Sequence, residues 1–109
     1  MIGDGPGYRE FNFSPSGEWA VYDFRGYRDS GKTGDVLPPG VVVRQTQDRL
    51  ELDAKICQDI LPQGRRLLLG LSAVVEEVAG VLSCWALRHP PGKPDFHHTD
   101  AFALQLELP

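Results

Sequence analysis

The sequence predicts an all-β, antiparallel, jelly-roll-like sandwich, and three features carry that expectation. Residues 49–56 alternate without a break, with Leu50, Leu52, Ala54 and Ile56 set inward against Arg49, Glu51, Asp53 and Lys55. This is the period of a strand with one face in water, as antiparallel sheets allow and buried parallel sheets do not. The stretch most open to a helical reading, residues 66–78, carries the β-branched Val74, Val75 and Val78 and a glycine at position 70, which together weigh against a helix. Short apolar runs recur between clusters of Gly, Pro and Ser along the whole chain, the punctuation of successive strands and turns.

The elements follow in order. Residues 8–13, Tyr-Arg-Glu-Phe-Asn-Phe, place Arg9, Phe11 and Phe13 on one face of a strand and Tyr8, Glu10 and Asn12 on the other. Ser14-Pro15-Ser16-Gly17 stops it, because proline has no ladder donor and glycine accepts a reversed backbone. Residues 19–24 resume β-favouring side chains and complete a hairpin. Residues 26–40 hold four glycines and two prolines without a sustained apolar period, and read as a long loop. Val41-Val42-Val43 begins the strand that precedes the alternation at 49–56. Residues 66–78 and 81–87 form a second long hairpin about Ala79-Gly80, and the Pro-rich stretch 89–94 is a loop. Phe102, Leu104, Leu106 and Leu108 then alternate with Ala103, Gln105 and Glu107 in a closing strand.

A chain of 109 residues builds one domain, and 41% apolar residues can supply its core. Eleven basic against fifteen acidic residues, a net charge of -4 and no Lys/Arg run longer than Arg65-Arg66 argue against nucleic acid as a partner. Neither a signal peptide nor a membrane span is expected, and the expected location is cytoplasmic. Cys57 and Cys84 lack a C-x-x-C spacing and read as two buried free thiols, although spacing alone leaves a disulfide open.

Several motifs invite chemistry. Gly26 to Thr33 matches the letters of the phosphate loop G-x-x-x-x-G-K-T, but that mechanism needs a helix directly afterwards, and residues 34–40, Gly-Asp-Val-Leu-Pro-Pro-Gly, do not build one. No nucleotide is expected. His89, Asp95, His97, His98 and Asp100 are ligand types for a divalent metal; adjacent His97 and His98 diverge in an extended chain, so hydrogen bonding within the loop is the plainer reading. No serine sits in a G-x-S-x-G elbow, and Glu76-Glu77 diverge as a solvated hairpin end. Trp19 and Trp85, the two tryptophans, read first as core side chains and second as facing indoles that clamp a sugar ring.

Residues 8–28, YREFNFSPSGEWAVYDFRGYR, and 70–107, GLSAVVEEVAGVLSCWALRHPPGKPDFHHTDAFALQLE, resemble the bacterial DOMON-like proteins over more than half of the chain. The turn from Asn12 to Gly17 and the Phe-His-x-x-x-x-Phe arrangement from Phe96 to Phe102 are similar, more distantly, to the family 9 carbohydrate-binding modules. Both groups are antiparallel jelly rolls. DOMON-related domains include sugar binders and haem-binding cytochrome modules; the latter use a Met with a His, and the one methionine here is Met1, so no haem or other cofactor is expected.

The resemblance therefore implies a ligand-binding domain without enzyme activity, with carbohydrate as the first expected ligand. Trp19 and Trp85 would stack on the sugar, while Asn12, Arg25, Asp95 and His97 would bond its hydroxyls. Readings from other classes are a metal-assisted hydrolase built on His89, Asp95, His97 and His98, and a purely structural or interaction module. The resemblance begins in the middle of the family fold. About six or seven strands stand where a jelly roll has roughly eight, which implies a domain incomplete at its N-terminus, with strand 8–13 an open edge prone to self-association.

Overall fold

The computed structural model describes residues 1–30, 36–62 and 64–107. Every strand pair among them is antiparallel, and the non-strand elements are two 3₁₀ turns, at Gln58–Ile60 and Thr99–Ala101. The expected hairpin is present. Strand β2 (Tyr8–Phe13) pairs with β3 (Trp19–Gly26) from Tyr8 opposite Phe24 to Phe13 opposite Trp19. Its turn is closed by the Ser14 amide on the Glu18 carbonyl and the Gly17 amide on the Ser14 carbonyl. Gly17 has φ +87°, a conformation that side chains other than glycine's resist.

Strand 8–13 is not an edge. A two-residue strand, β1 (Ile2–Gly3), lies against it and pairs on its other side with β7 (Arg66–Leu69). Strand β10 (Leu104–Glu107) borders β7, and the two-residue β4 (Asp29–Ser30) borders β3, giving the sheet order β10-β7-β1-β2-β3-β4. Part of the stretch expected as a long loop is thus a strand. Arg28, in the turn before β4, has a left-handed φ of 52°, held there by tertiary bonds described below.

The expected single strand over 66–78 is two strands in different sheets. After β7 the chain turns at the buried Gly70 and continues as β8 (Ser72–Glu76), which pairs only with β9 (Leu82–Ala86) among the described strands. A Cβ on Gly70 would stand 3.0 Å from the Ala101 carbonyl oxygen, a tight contact that would push the segment carrying Ala101 back by a few tenths of an ångström. Gly80, at φ +88°, shapes the tip of the ribbon. Strands β5 (Gly40–Gln45) and β6 (Leu50–Lys55) form a second ribbon. The large sheet and two ribbons make an all-β arrangement compatible with a β-sandwich.

Paired residues on neighbouring antiparallel strands project to the same face. By that rule one face of the large sheet carries Arg9, Phe11 and Val21 with Ile2, Leu67 and Leu69. The other carries Tyr8, Phe24, Gly3 and Leu68. Among the described residues, Tyr8, Val21, Ile60, Leu67 and Ala101 are buried. They draw on both faces and on both 3₁₀ turns, so the core straddles the sheet.

Three burial expectations are corrected. The apolar face of residues 49–56 aligns with Val41 and Val43 across the ribbon, yet Leu50 and Ala54 are exposed and Leu52 is only half-buried, on a ribbon that no further strand joins among the described residues. Cys57 and Cys84 are free but exposed rather than buried. Trp19 and Trp85 are 39% and 63% exposed, so neither is a core side chain.

Candidate functional site

The β2/β3 register sets Arg9 opposite Asp23. The guanidinium meets the carboxylate twice, Nε to Oδ1 at 2.5 Å and NH2 to Oδ2 at 3.1 Å, in the two-point geometry that gives arginine pairs their directionality. Its remaining nitrogen, NH1, donates to the Ile60 carbonyl at 2.8 Å and ties the Gln58–Ile60 turn over the sheet. Beside this clamp lies an open cleft of about 320 Å³. Asp4 and Asp59 contribute carboxylates to its wall and Leu61 and Pro62 contribute apolar surface. Asp4 and Asp59 are exposed and make no side-chain hydrogen bond or ion pair among the described residues.

On the opposite face a polar latch holds the last loop to the sheet. The Tyr8 hydroxyl accepts from the Arg28 amide at 3.2 Å and so directs its own proton to His97 Nδ1, 2.7 Å away. That assigns the His97 proton to Nε2, which faces Glu10 Oε2 at 3.2 Å. Asn12 donates to the other Glu10 oxygen at 2.7 Å. Asp95 receives the Tyr27 hydroxyl, the Arg28 guanidinium at 3.0 Å and the His97 amide at 3.1 Å. The Arg28 amide, turned by the left-handed φ, is one of the bonds that hold this arrangement. Phe24 stacks on Tyr8 with ring centroids 4.9 Å apart, and Phe102 meets it edge-on. A small cleft of about 80 Å³ remains between Tyr8, Tyr27, Leu68, His97 and Thr99.

Titration follows this geometry. The Tyr27 hydroxyl, ahead of the Arg28 guanidinium and the His97 amide, holds the Asp95 carboxyl below the usual carboxylate range against the opposing effect of burial. Burial pushes His97 below its ordinary value of 6.5, and the nearby Glu10 offsets this only in part. The folded state therefore prefers neutral His97. Above pH 6.5 the imidazole is neutral whether folded or unfolded; below it the unfolded chain takes up the proton first, so this group removes stability as the pH falls from 6.5 to the lowered folded value. Thermal unfolding followed through that window is expected to show a fall in Tm that His97→Gln reduces. An unchanged pH profile in the variant would count against the assignment.

The six residues expected to form one site are distributed over four places. Asp95 and His97 meet in the latch, with Asn12 attached through Glu10. Trp19 and Asn12 border a shallow depression of about 220 Å³ near the β2/β3 turn, together with Ser14 and Glu18. Arg25 is exposed and pairs with Asp29 at 3.2 Å. Trp85 lies on the β8/β9 ribbon, and no ring contact joins it to Trp19 among the described residues.

The histidines do not converge either. His97 is held by Tyr8 and Glu10, His98 accepts from the Asp100 amide, and His89 lies near the Phe96 ring. No group of three His, Cys, Asp or Glu side chains suited to a metal occurs among the described residues. Gly31, Lys32 and Thr33, the heart of the phosphate-loop match, lie outside the described residues.

Arg9 and Asp23 were not among the expected site residues, although a signal for them exists. Once Phe13 and Trp19 are taken as the strand ends that flank the turn, counting back along both strands sets an arginine directly opposite an aspartate. Comparison of the chain with protein-family models, curated proteins and solved structures finds no match.

Proposed function

We propose that this chain is a non-catalytic ligand-binding β-domain and that its ligand is polyhydroxylated, a short saccharide being the first candidate. The observation that carries the reading is the cleft beside Arg9 and Asp23. At about 320 Å³ it reaches the lower end of the size range of small-molecule sites. Carboxylates and guanidinium groups are the side chains that grip neighbouring hydroxyls in pairs, and Leu61 and Pro62 offer apolar surface to the C–H face of a sugar ring. The clamp is pre-organised by its own bonds to Asp23 and Ile60, so little ordering cost falls on the ligand. By contrast, Glu10 and His97, a carboxylate and an imidazole side by side, are engaged with each other and with Asn12 and Tyr8, which supports binding over catalysis.

The test is titration calorimetry against a panel of mono- and oligosaccharides, repeated with Asp4→Asn and Asp59→Asn. Each variant removes a charged acceptor without disturbing a structural bond, and each is expected to weaken binding about tenfold or more with Tm unchanged. Absence of binding across the panel, or wild-type affinity in both variants, would overturn the reading.

A further inference from the structure

We infer that residues 95–102 form an acid-released strap: protonation of His97 frees this loop, with the turn at Arg28, from Tyr8 while the sheet beneath stays paired. In the neutral latch each hydrogen has a place. The Tyr8 hydroxyl gives its single proton to His97 Nδ1, its oxygen accepts the Arg28 amide, and His97 Nε2 gives its proton to Glu10. An imidazolium carries a proton on both nitrogens. Nδ1 then turns a hydrogen toward the hydroxyl hydrogen across 2.7 Å, and the Tyr8 oxygen faces two donors with its own proton displaced. The rings packed on Tyr8, Phe24 and Phe102, offer that proton neither oxygen nor nitrogen. One of the bonds to Tyr8 has to break.

The break is local because of how the strap is fastened. Its backbone bonds run within the loop, and among the described residues the hydrogen bonds that tie it to the rest of the chain are those of the His97 and Asp95 side chains. Asp95 ties it to Tyr27 and Arg28, so loop and turn leave Tyr8 together. Strand β2 has partners on both sides, β1 and β3, and its ladders do not involve these groups. Release uncovers the buried Tyr8 ring and widens the cleft of about 80 Å³ beside it.

The groups around His97 set the direction. Burial is the largest influence and disfavours the charged ring; Glu10 on β2 favours it, Arg28 opposes it, Asp95 within the loop favours it, and the Met1 α-amine beside β1 opposes it. Tyr8, pushed above its ordinary value of 10 mainly by burial, keeps its proton at acid pH. Once released, the solvated ring titrates near its ordinary 6.5, whereas the latched ring titrates lower. Opening is therefore independent of pH above 6.5. Below that value it rises by up to about tenfold per pH unit, the slope of a one-proton event, until the latched ring is protonated too.

Amide exchange of the whole chain tests this, read as protection factors so that the intrinsic pH dependence of exchange is removed. Protection at Arg28 and through residues 95–102 is expected to fall by up to about tenfold per pH unit below pH 6.5, while the β1/β2 and β2/β3 amides hold. His97→Gln is expected to abolish the fall. His98→Gln, at the loop's other imidazole, is expected to keep it. Glu10→Gln removes the neighbour that favours the imidazolium, so the fall is expected to continue to lower pH and to be larger in total. Where His97→Gln fails to fold, the wild-type and Glu10→Gln profiles decide. Flat wild-type protection, loss spread evenly through the sheet, a fall that survives in His97→Gln or vanishes in His98→Gln, or one that ends no lower in Glu10→Gln would each overturn the inference.

Discussion

Replacing Leu67 with alanine is expected to remove about 2–5 kcal/mol of folding stability, the range for deleting a fully buried leucine and leaving a cavity. Leu67 is 1% exposed, the most completely buried large side chain among the described residues. It sits in β7 between β1 and β10 and pairs in register with Leu106. Few buried residues share the core with it, so the loss is a large part of the 5–15 kcal/mol that holds a typical domain together. Leu52→Asp provides the contrast. The alternation at 49–56 alone marks Leu52 as a core position, where a buried charge would unfold the chain. In the structure it is half-buried on a ribbon that no further strand joins among the described residues, and its replacement is expected to cost much less than that of Leu67. Urea unfolding of the two variants checks the order; an equal or larger loss for Leu52→Asp would show that the ribbon face is covered in solution.

The second large effect is expected at Tyr8. Tyr8→Phe keeps the ring against Phe24 and Phe102 but deletes the hydroxyl, leaving the Arg28 amide and His97 Nδ1 without their partner. Unsatisfied part-buried groups of this kind cost about 1–3 kcal/mol. Tyr8→Ala removes the ring as well and is expected to cost about 3–5 kcal/mol, as for other buried aromatics. The effects also differ in place. With phenylalanine, amide exchange is expected to accelerate around Arg28 and His97 while the β1/β7 ladder stays protected; with alanine, protection is lost through the sheet. Uniform loss in both variants would mean that the hydroxyl does not hold the loop as a separate unit.

Much of the local structure is legible in the sequence. Alternation located β2, β6 and β10, Ser14-Pro15-Ser16-Gly17 located the first turn, and Ala79-Gly80 the tip of the β8/β9 ribbon. These features act through neighbours one to four residues apart, where backbone sterics and strand period decide the outcome. The two-residue strands β1 and β4 escaped the same reading because a pair of residues carries no period; they exist through the ladders of their neighbours.

The split of residues 66–78 at Gly70, the exposure of both tryptophans and the makeup of each cleft were decided by tertiary structure. Alternation says that one side of a strand differs from the other, but not what lies over either side. The Gln58–Ile60 turn reaches Arg9 from about fifty residues away and the 95–102 loop reaches Tyr8 from about ninety, and no local pattern at Arg9 or Tyr8 records that arrival. Asp95 and His97 were recognisable as polar groups in a loop, whereas their engagement by Tyr27, Arg28, Tyr8 and Glu10 follows from the sheet order that brings those segments together. Strand period is a property of the backbone; which surface a strand buries depends on loop closures between distant segments, and these are settled only when the whole chain packs.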